Sequence, residues 1–393
     1  VRRPTLAEPS RPGSVGGRIV LEDRVMPGRI RIEDEWIAEV EPNEAEAAGP
    51  FLTPGLVDVH VHGWGGHDAM GTPADLDGMA RALLRRGVTS FLPTAVTASL
   101  PDLLAFSRRV REWLPNAPRD GAQPLGFNIE GPFIAAGKKG AQDPAWIRAP
   151  AEIDRAELEQ LLDGLRLMTV APETPGALEL IAWLRRRGVT VSAGHSAADL
   201  EEAQAGYAAG ASSTTHLFNA MSGIDHHAPG LAVAALTADD AYVELIADGH
   251  HVHPALWPII TRTKPSDRLL LVSDAVSLAG TGVVRGMIGA LEVQVEGDRC
   301  TLRSTGALAG SLIALDSAVR NLVGSGLPLP RAVAAASRNP ATLVGATDRG
   351  RLAVGQRADI VELDDALEVR RVMRGGEWRG SRDSHMSREG DVI

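Results

Sequence analysis

The sequence predicts an α/β protein: a (β/α)8 TIM-type barrel with a small β-sandwich domain formed by both chain ends. Three observations predict it. Eight short apolar runs alternate with helical segments through the middle of the chain, and half-exposed β patterns occupy its two ends. No G-x-G-x-x-G turn follows the first apolar run, which argues against the rival, an open doubly wound sheet.

Taken in order, residues 18–40 (RIVLEDRVMPGRIRIEDEWIAEV) alternate apolar and charged positions, with Pro27-Gly28 expected as the turn between two antiparallel runs. The eight barrel runs are 55–62, 88–96, 124–131, 165–173, 189–196, 211–219, 241–249 and 268–276. Between them, segments such as PADLDGMARALLRRG and SAADLEEAQAGYAAG carry apolar residues at helical spacing and stop on glycine. Eight strands in about 220 residues suit a sheet that closes on itself. The β pattern returns in ADIVELDD (358–365) and EVRRVMRGGEWR (368–379). The expected organisation is therefore a split β domain of residues 1–54 and 346–380, a barrel of 55–345 and a flexible polar tail of 381–393.

The 393 residues carry a net charge of -10 and show no basic patch, which argues against a nucleic-acid partner. No run of about 18 uncharged apolar residues appears, so no membrane partner is expected. The first residues, VRRPTLAEPSRPGSVGG, have arginines but no apolar core, so a secretory signal is not expected and the cytoplasm is the expected location. A single cysteine, Cys300, excludes an internal disulfide framework and a zinc site of paired thiolates.

The chemistry gathers at the strand ends. The first gives His60 and His62, the third Glu130, the fifth His195, the sixth His216, the seventh Asp248 with His250 and His251, and the eighth Asp274. In a parallel barrel the carboxyl ends of all strands share one face, where active sites of this fold sit. Taken singly, each residue has an ordinary reading. A His-x-His pair is common polar punctuation, His195 and His216 suit hydrogen-bonded core positions, Glu130 a turn, and Asp274 a helix cap. Jointly they do not, because buried ionisable groups are rare unless paired or bound to metal. Imidazole and carboxylate without thiolate suit a divalent ion, zinc first and iron or manganese next, with an open position for water.

The motifs PGLVDVHVHG, NIEGPF, SAGHS, THLFNAM, ELIADGHHVHP and LVSDA resemble the amidohydrolase superfamily and, within it, the N-acetylglucosamine-6-phosphate deacetylase family. The resemblance runs from Pro54 to SRNPATLVG (337–345), and HLFNAM and IEGPF are its more specific parts. It implies Glu130, His195 and His216 as principal metal ligands, with His60 and His62 holding a second ion that only some members bind. No strand end offers the lysine that bridges two ions in other barrel hydrolases, which leaves Glu130 as candidate bridge. One or two ions are therefore expected, and the intact His-Val-His favours two.

The resemblance further implies Asp274 as general base and acid in hydrolysis of the acetamide of N-acetyl-D-glucosamine 6-phosphate. Asn219, Ala220 and His251 match phosphate-binding positions, and Leu308, in GALAGSLIALDSAVRNLV, lies in a loop that lays backbone against the sugar. Two positions depart from the pattern. Gln142 stands where a histidine polarises the substrate carbonyl, and merely ordering its loop is an equal account of it. His227 stands where an arginine reaches in from a neighbouring subunit, so a homodimer is expected, with a weaker grip on phosphate. His226, His250 and His253 read as turn or surface residues, and His67 and Asp68 stay unassigned. The alternatives are a metal-dependent hydrolase of another N-acyl amino sugar, an N-acyl amino acid or a cyclic amide, and a non-catalytic scaffold. The second of these conflicts with the complete ligand set.

Overall fold

The structure, a computed structural model, describes residues 13–381. The expected tail lies outside them except for Ser381, as does most of the N-terminal stretch judged for a signal. Eight parallel strands form where the eight runs predict: Leu56–Val61, Val88–Ala95, Phe127–Glu130, Leu165–Val170, Thr190–Ala193, Ser213–Thr214, Val243–Leu245 and Leu269–Leu271. The first six pair in chain order and the last two pair with each other. Backbone bonds close the remaining gaps: Leu217 N–H donates to Glu244 O at 2.8 Å, and Asp274 N–H to His60 O at 2.9 Å. The result is a curled, closed parallel sheet of the barrel type.

Strands buried on both faces read as unbroken apolar runs, and all of Leu56–Val61 and Val88–Ala95 is buried. Val57, Val59, Leu92, Leu167, Ile246 and Val272 form one apolar cluster drawn from around the cylinder. Each such side chain contributes about 1.5–3 kcal/mol through burial. The helices begin on side-chain caps. Thr72 and Asp75 form a capping box before Pro73–Leu84, and Asp199 and Glu202 form another before Leu200–Ala209. Leu76, Met79, Ala80 and Leu83 give the first of these its buried stripe. Gly87 and Gly210, with φ of 81° and 125°, turn the chain back after them.

Strands from both chain ends join in one seven-stranded sheet. Phe51–Pro54 lies between Ser14–Val20, which it pairs in parallel, and Ile360–Leu363, which it pairs antiparallel. The Gly375-Gly376 hairpin has both glycines at positive φ, as a two-residue turn between twisted strands demands. Pro27-Gly28, however, is not a turn. It lies inside the strand Val25–Glu33, opposite Arg18 and Gly17. Gly28 is there for a close approach, because a Cβ on it meets Glu41 O at 2.4 Å. The chain instead reverses before Arg24, whose carbonyl accepts from Leu21 N–H, and at Asp34, whose φ is 53°.

Beyond the eight runs, LEVQVEGDRCTL alternates apolar and polar residues, and Arg285–Ile288, Leu291–Glu296 and Arg299–Leu302 form a three-stranded antiparallel sheet after the eighth strand. Ile288 and the loop that follows this sheet reach the barrel mouth. Among the described residues no helix is long and apolar enough to cross a membrane.

Candidate metal centre at the barrel mouth

Three of the expected site residues do not continue their strands. His195, His216 and Asp274 have φ of 48°, 29° and 49°, so each chain leaves the extended conformation at the residue that matters. Period-two reasoning extends these strands to 196, 219 and 276, whereas the ladders stop at Ala193, Thr214 and Leu271. A left-handed non-glycine residue costs about 1–2 kcal/mol, offset here by tethers. Ala135 N–H donates to His195 O and Ser311 N–H to Asp274 O, both at 2.8 Å.

The side chains converge. Glu130 Oε1 lies 2.8 Å from His216 Nε2, 3.0 Å from His195 Nε2 and 3.5 Å from His60 Nε2. Its Oε2 lies 3.2 Å from His62 Nε2. Asp274 Oδ1 stands 3.2 Å from His62 Nε2 and 3.6 Å from His60 Nε2. Two groups with metal-ligating spacing result, His60/His62/Asp274 and Glu130/His195/His216, all six residues buried. Asp274 thus stands among the ligand candidates of the His-Val-His pocket as well as in the position for a base.

The hydrogen bonds behind the rings test whether cations fit. His62 Nδ1 faces Thr94 O at 3.1 Å and His195 Nδ1 faces Lys138 O at 2.8 Å. A carbonyl only accepts, so both rings carry their hydrogen on Nδ1 and, when neutral, turn a lone pair from Nε2 towards Glu130. His60 and His62 bring Nε2 atoms within 3.3 Å of each other, and His195 and His216 within 3.1 Å. Lone pairs so placed need positive charge between them, from protons or from metal ions. The donor set, nitrogen and oxygen only, fits divalent ions in both groups.

Without ions, the protons bear that charge. Burial opposes ionising His60, but the Glu130 and Glu244 carboxylates outweigh it and hold its pKa well above the ordinary value. Against the same burial penalty, Asp274 and Glu130 push His62 up to about 9. Burial raises Glu130 and Asp274, yet the surrounding imidazoles outweigh it and hold both below the usual carboxylate range.

A cleft of about 300 Å³ opens over this centre, lined by His62, Glu130, His195, His216 and Asp274 and also by Gln142, Asn219, Ala220, His251 and Leu308. His60 lies beneath, fully buried. The Gln142 side chain donates from Nε2 to Glu130 Oε2 at 2.5 Å and accepts Thr97 N–H at 2.7 Å, so its amide is engaged in ordering the site. Asn219 Nδ2 donates to the His216 and Leu217 carbonyls. His251 Nδ1 binds Asp248 Oδ2 at 2.6 Å, and although burial opposes it, that carboxylate raises the imidazole pKa. His227 is not among the residues that line the cleft. It is exposed and lies against His226, the rings tilted by 41° with centroids 3.9 Å apart.

His250 binds Asp298 and His253 caps Ala255 N–H, which suits their reading as turn and surface residues, and the unassigned His67 pairs with Asp75. Two buried carboxylates were missed. Asp58 Oδ1 accepts the N–H groups of His60 and Ser273, and Glu244 Oε2 meets His60 Nδ1 and His216 N–H. The signal was present, since an acid inside an apolar strand, as in AYVELIADG, is rare without a partner.

A closed parallel barrel with imidazole and carboxylate pockets at the carboxyl ends of its strands defines a metal-dependent hydrolase of the amidohydrolase type. The chain belongs to the amidohydrolase family, whose pattern matches residues 51–379. It is 38% identical to the N-acetylgalactosamine-6-phosphate deacetylase of Escherichia coli O157:H7, over 89% of this chain and 94% of that one. It is 37% identical to the N-acetylglucosamine-6-phosphate deacetylase of Homo sapiens, over 92% of each. A mutant N-acetyl-D-glucosamine-6-phosphate deacetylase from Mycobacterium smegmatis, solved with N-acetyl-D-glucosamine-6-phosphate, superposes with a TM-score of 0.87 at 33% identity, over 94% of this chain and 99% of that one.

Proposed function

We propose that this protein hydrolyses the acetamide of N-acetyl-D-glucosamine 6-phosphate to D-glucosamine 6-phosphate and acetate. The observation that carries the reading is the pair of buried ligand groups beneath a cleft that also holds Asn219, Ala220, His251 and Leu308. When bound, divalent ions supply Lewis acidity, which acidifies water and polarises a carbonyl. Glu130, His195 and His216 would hold one ion and His60 and His62 a second, zinc before iron or manganese. Asp274, ionised and at the edge of the cleft, takes the proton of the attacking water and delivers it to the amine nitrogen as the C–N bond breaks. Asn219, Ala220 and His251 bind the phosphate, with the Asp248 carboxylate favouring the charged imidazole of His251. The backbone at Leu308 lies against the sugar, and Gln142 steadies Glu130.

In this reading the active form is a cytoplasmic homodimer in which His227 of one copy completes the phosphate pocket of the other. Of the small β-sandwich unit of residues 1–54 and 346–380, residues 1–12 lie outside the described ones, and the remainder stands beside the barrel of 55–345. The Escherichia coli O157:H7 relative supports a second substrate, the C4 epimer N-acetyl-D-galactosamine 6-phosphate. The test measures acetate release from both 6-phosphates and from unphosphorylated N-acetylglucosamine. Faster turnover of the glucosamine 6-phosphate derivative is expected. A preference for the epimer would reassign the sugar, and equal or absent turnover of phosphorylated and free sugar would overturn the reading.

A further inference from the structure

Outside the residues assigned above, one buried group touches both ligand sets. Glu244 lies in the seventh strand with 0% of its surface exposed. Its Oε2 stands 3.0 Å from His60 Nδ1, of one set, and accepts the backbone N–H of His216, of the other, at 3.2 Å. Its second oxygen, Oε1, is buried without a hydrogen-bond partner. A buried carboxylate with one oxygen unsatisfied is expensive to keep, and the cost falls only where positive charge stands close by.

We infer that Glu244 is a positioning residue that ties the two ion pockets together through a single carboxylate oxygen. The inference rests on the two-ion reading above. An oxygen with two lone pairs accepts two hydrogens at once. Accepting from Nδ1 fixes the His60 tautomer, so that Nε2 turns its lone pair towards Glu130 and Asp274 and the ring becomes a stronger donor to a cation. Accepting from His216 N–H pins the backbone where φ is 29°, a conformation the chain does not hold unaided. His62 and His195 lean instead on the carbonyls of Thr94 and Lys138, and His216 Nδ1 has no partner among the described residues, so among them Glu244 is the one carboxylate behind these four rings. Shifting Glu244 moves a ligand of each pocket. An ion that orders His60 therefore also orders the turn at His216, and by linkage the reverse holds.

The test titrates zinc alone into chelator-stripped full-length protein, comparing wild type, Glu244→Ala and Glu244→Gln. Affinities come from calorimetry, stoichiometry from elemental analysis, and ligand field from the visible spectrum of the cobalt-loaded forms. Glu244→Ala is expected to bind both ions about 10–100-fold more weakly, with altered cobalt bands. Glu244→Gln keeps a neutral acceptor of the same reach and is expected to fall between the two. Wild-type affinity for both ions in Glu244→Ala, or a loss confined to one ion, would overturn the inference. If Glu244→Ala is recovered unfolded, Glu244→Gln decides alone, and wild-type affinity for either ion in it overturns the proposal. A wild type that binds two ions but releases no acetate would sink the proposed function and leave this coupling standing.

Discussion

Stripping the ions should make the stability of the protein depend on pH in a direction the site geometry fixes. The His62 pKa rises from 6.5 to about 9 because Asp274 and Glu130 face a ring whose burial alone would lower it. A raised base contributes stability that is complete below its unfolded value and is lost as pH climbs through the folded one. The window is thus pH 6.5 to about 9 and beyond. That rise corresponds to about 3 kcal/mol, or about 4 °C in melting temperature for a chain of this length. Glu130 and Asp274 have depressed values, so their contribution is present above the ordinary carboxylate range and is lost only in acid, outside the window. Lys264, which burial lowers from 10.5 to about 8, acts in the opposite sense between those two values, overlapping only the upper part of the window. Its contribution is common to both forms, so the measurement compares chelated with zinc-loaded protein at pH 6.5 and pH 9.5 by thermal unfolding. In the loaded form the ions stand where the protons stood, and binding is favoured as protons leave. The protection by zinc should therefore grow by about 4 °C or more between the two pH values. Protection that is flat or shrinks with pH would refute the idea that these imidazoles share cations with Glu130 and Asp274.

Asp274→Asn should lower turnover by about 10²–10⁴-fold while elemental analysis still finds the ion held by Glu130, His195 and His216; near-full turnover would remove Asp274 as the base. Gln142→Ala leaves the buried Thr97 N–H without its acceptor and should cost about 1–3 kcal/mol, read as a lower denaturation midpoint; an unchanged midpoint would show that the contact does not order the site. His227→Ala should leave stability unchanged, since the ring is exposed, but raise KM for the phosphorylated sugar with little change in kcat. His227→Arg should lower that KM through a bidentate, fully charged contact, and no movement in either variant would exclude His227 from phosphate binding. Gly28→Ala places a methyl group 2.4 Å from Glu41 O and should destabilise the terminal sheet by about 1–3 kcal/mol, visible as a lower melting temperature.

Much of the barrel was legible in the chain because burial on both faces leaves a simple mark. Each of the eight apolar runs holds a strand, and the capping boxes at Thr72 and Asp199 stand where the helical periodicity begins. The ligand candidates were legible for a related reason: an imidazole or acid at the end of an apolar run is costly and rarely accidental. The alternation of period two failed where glycine had a different use. Pro27-Gly28 resembles a turn in sequence, but Gly28 answers to the strand of Trp36–Pro42, a neighbour that only folding brings near.

Sequence alone therefore determined which residue types are fit to bind a cation and roughly where each sits along its strand. The tertiary structure decided the rest. Left-handed backbone at His195, His216 and Asp274 aims those side chains over the cylinder, a choice made by tethers from other segments and not by local preference. Closure of the sheet brings Glu244 from the seventh strand behind His60 of the first, 184 residues away. Local patterns carry hydrophobic period and capping, because those depend on neighbours a few residues off. A shared carboxylate oxygen depends on a distance in space, and that exists only once the barrel has closed.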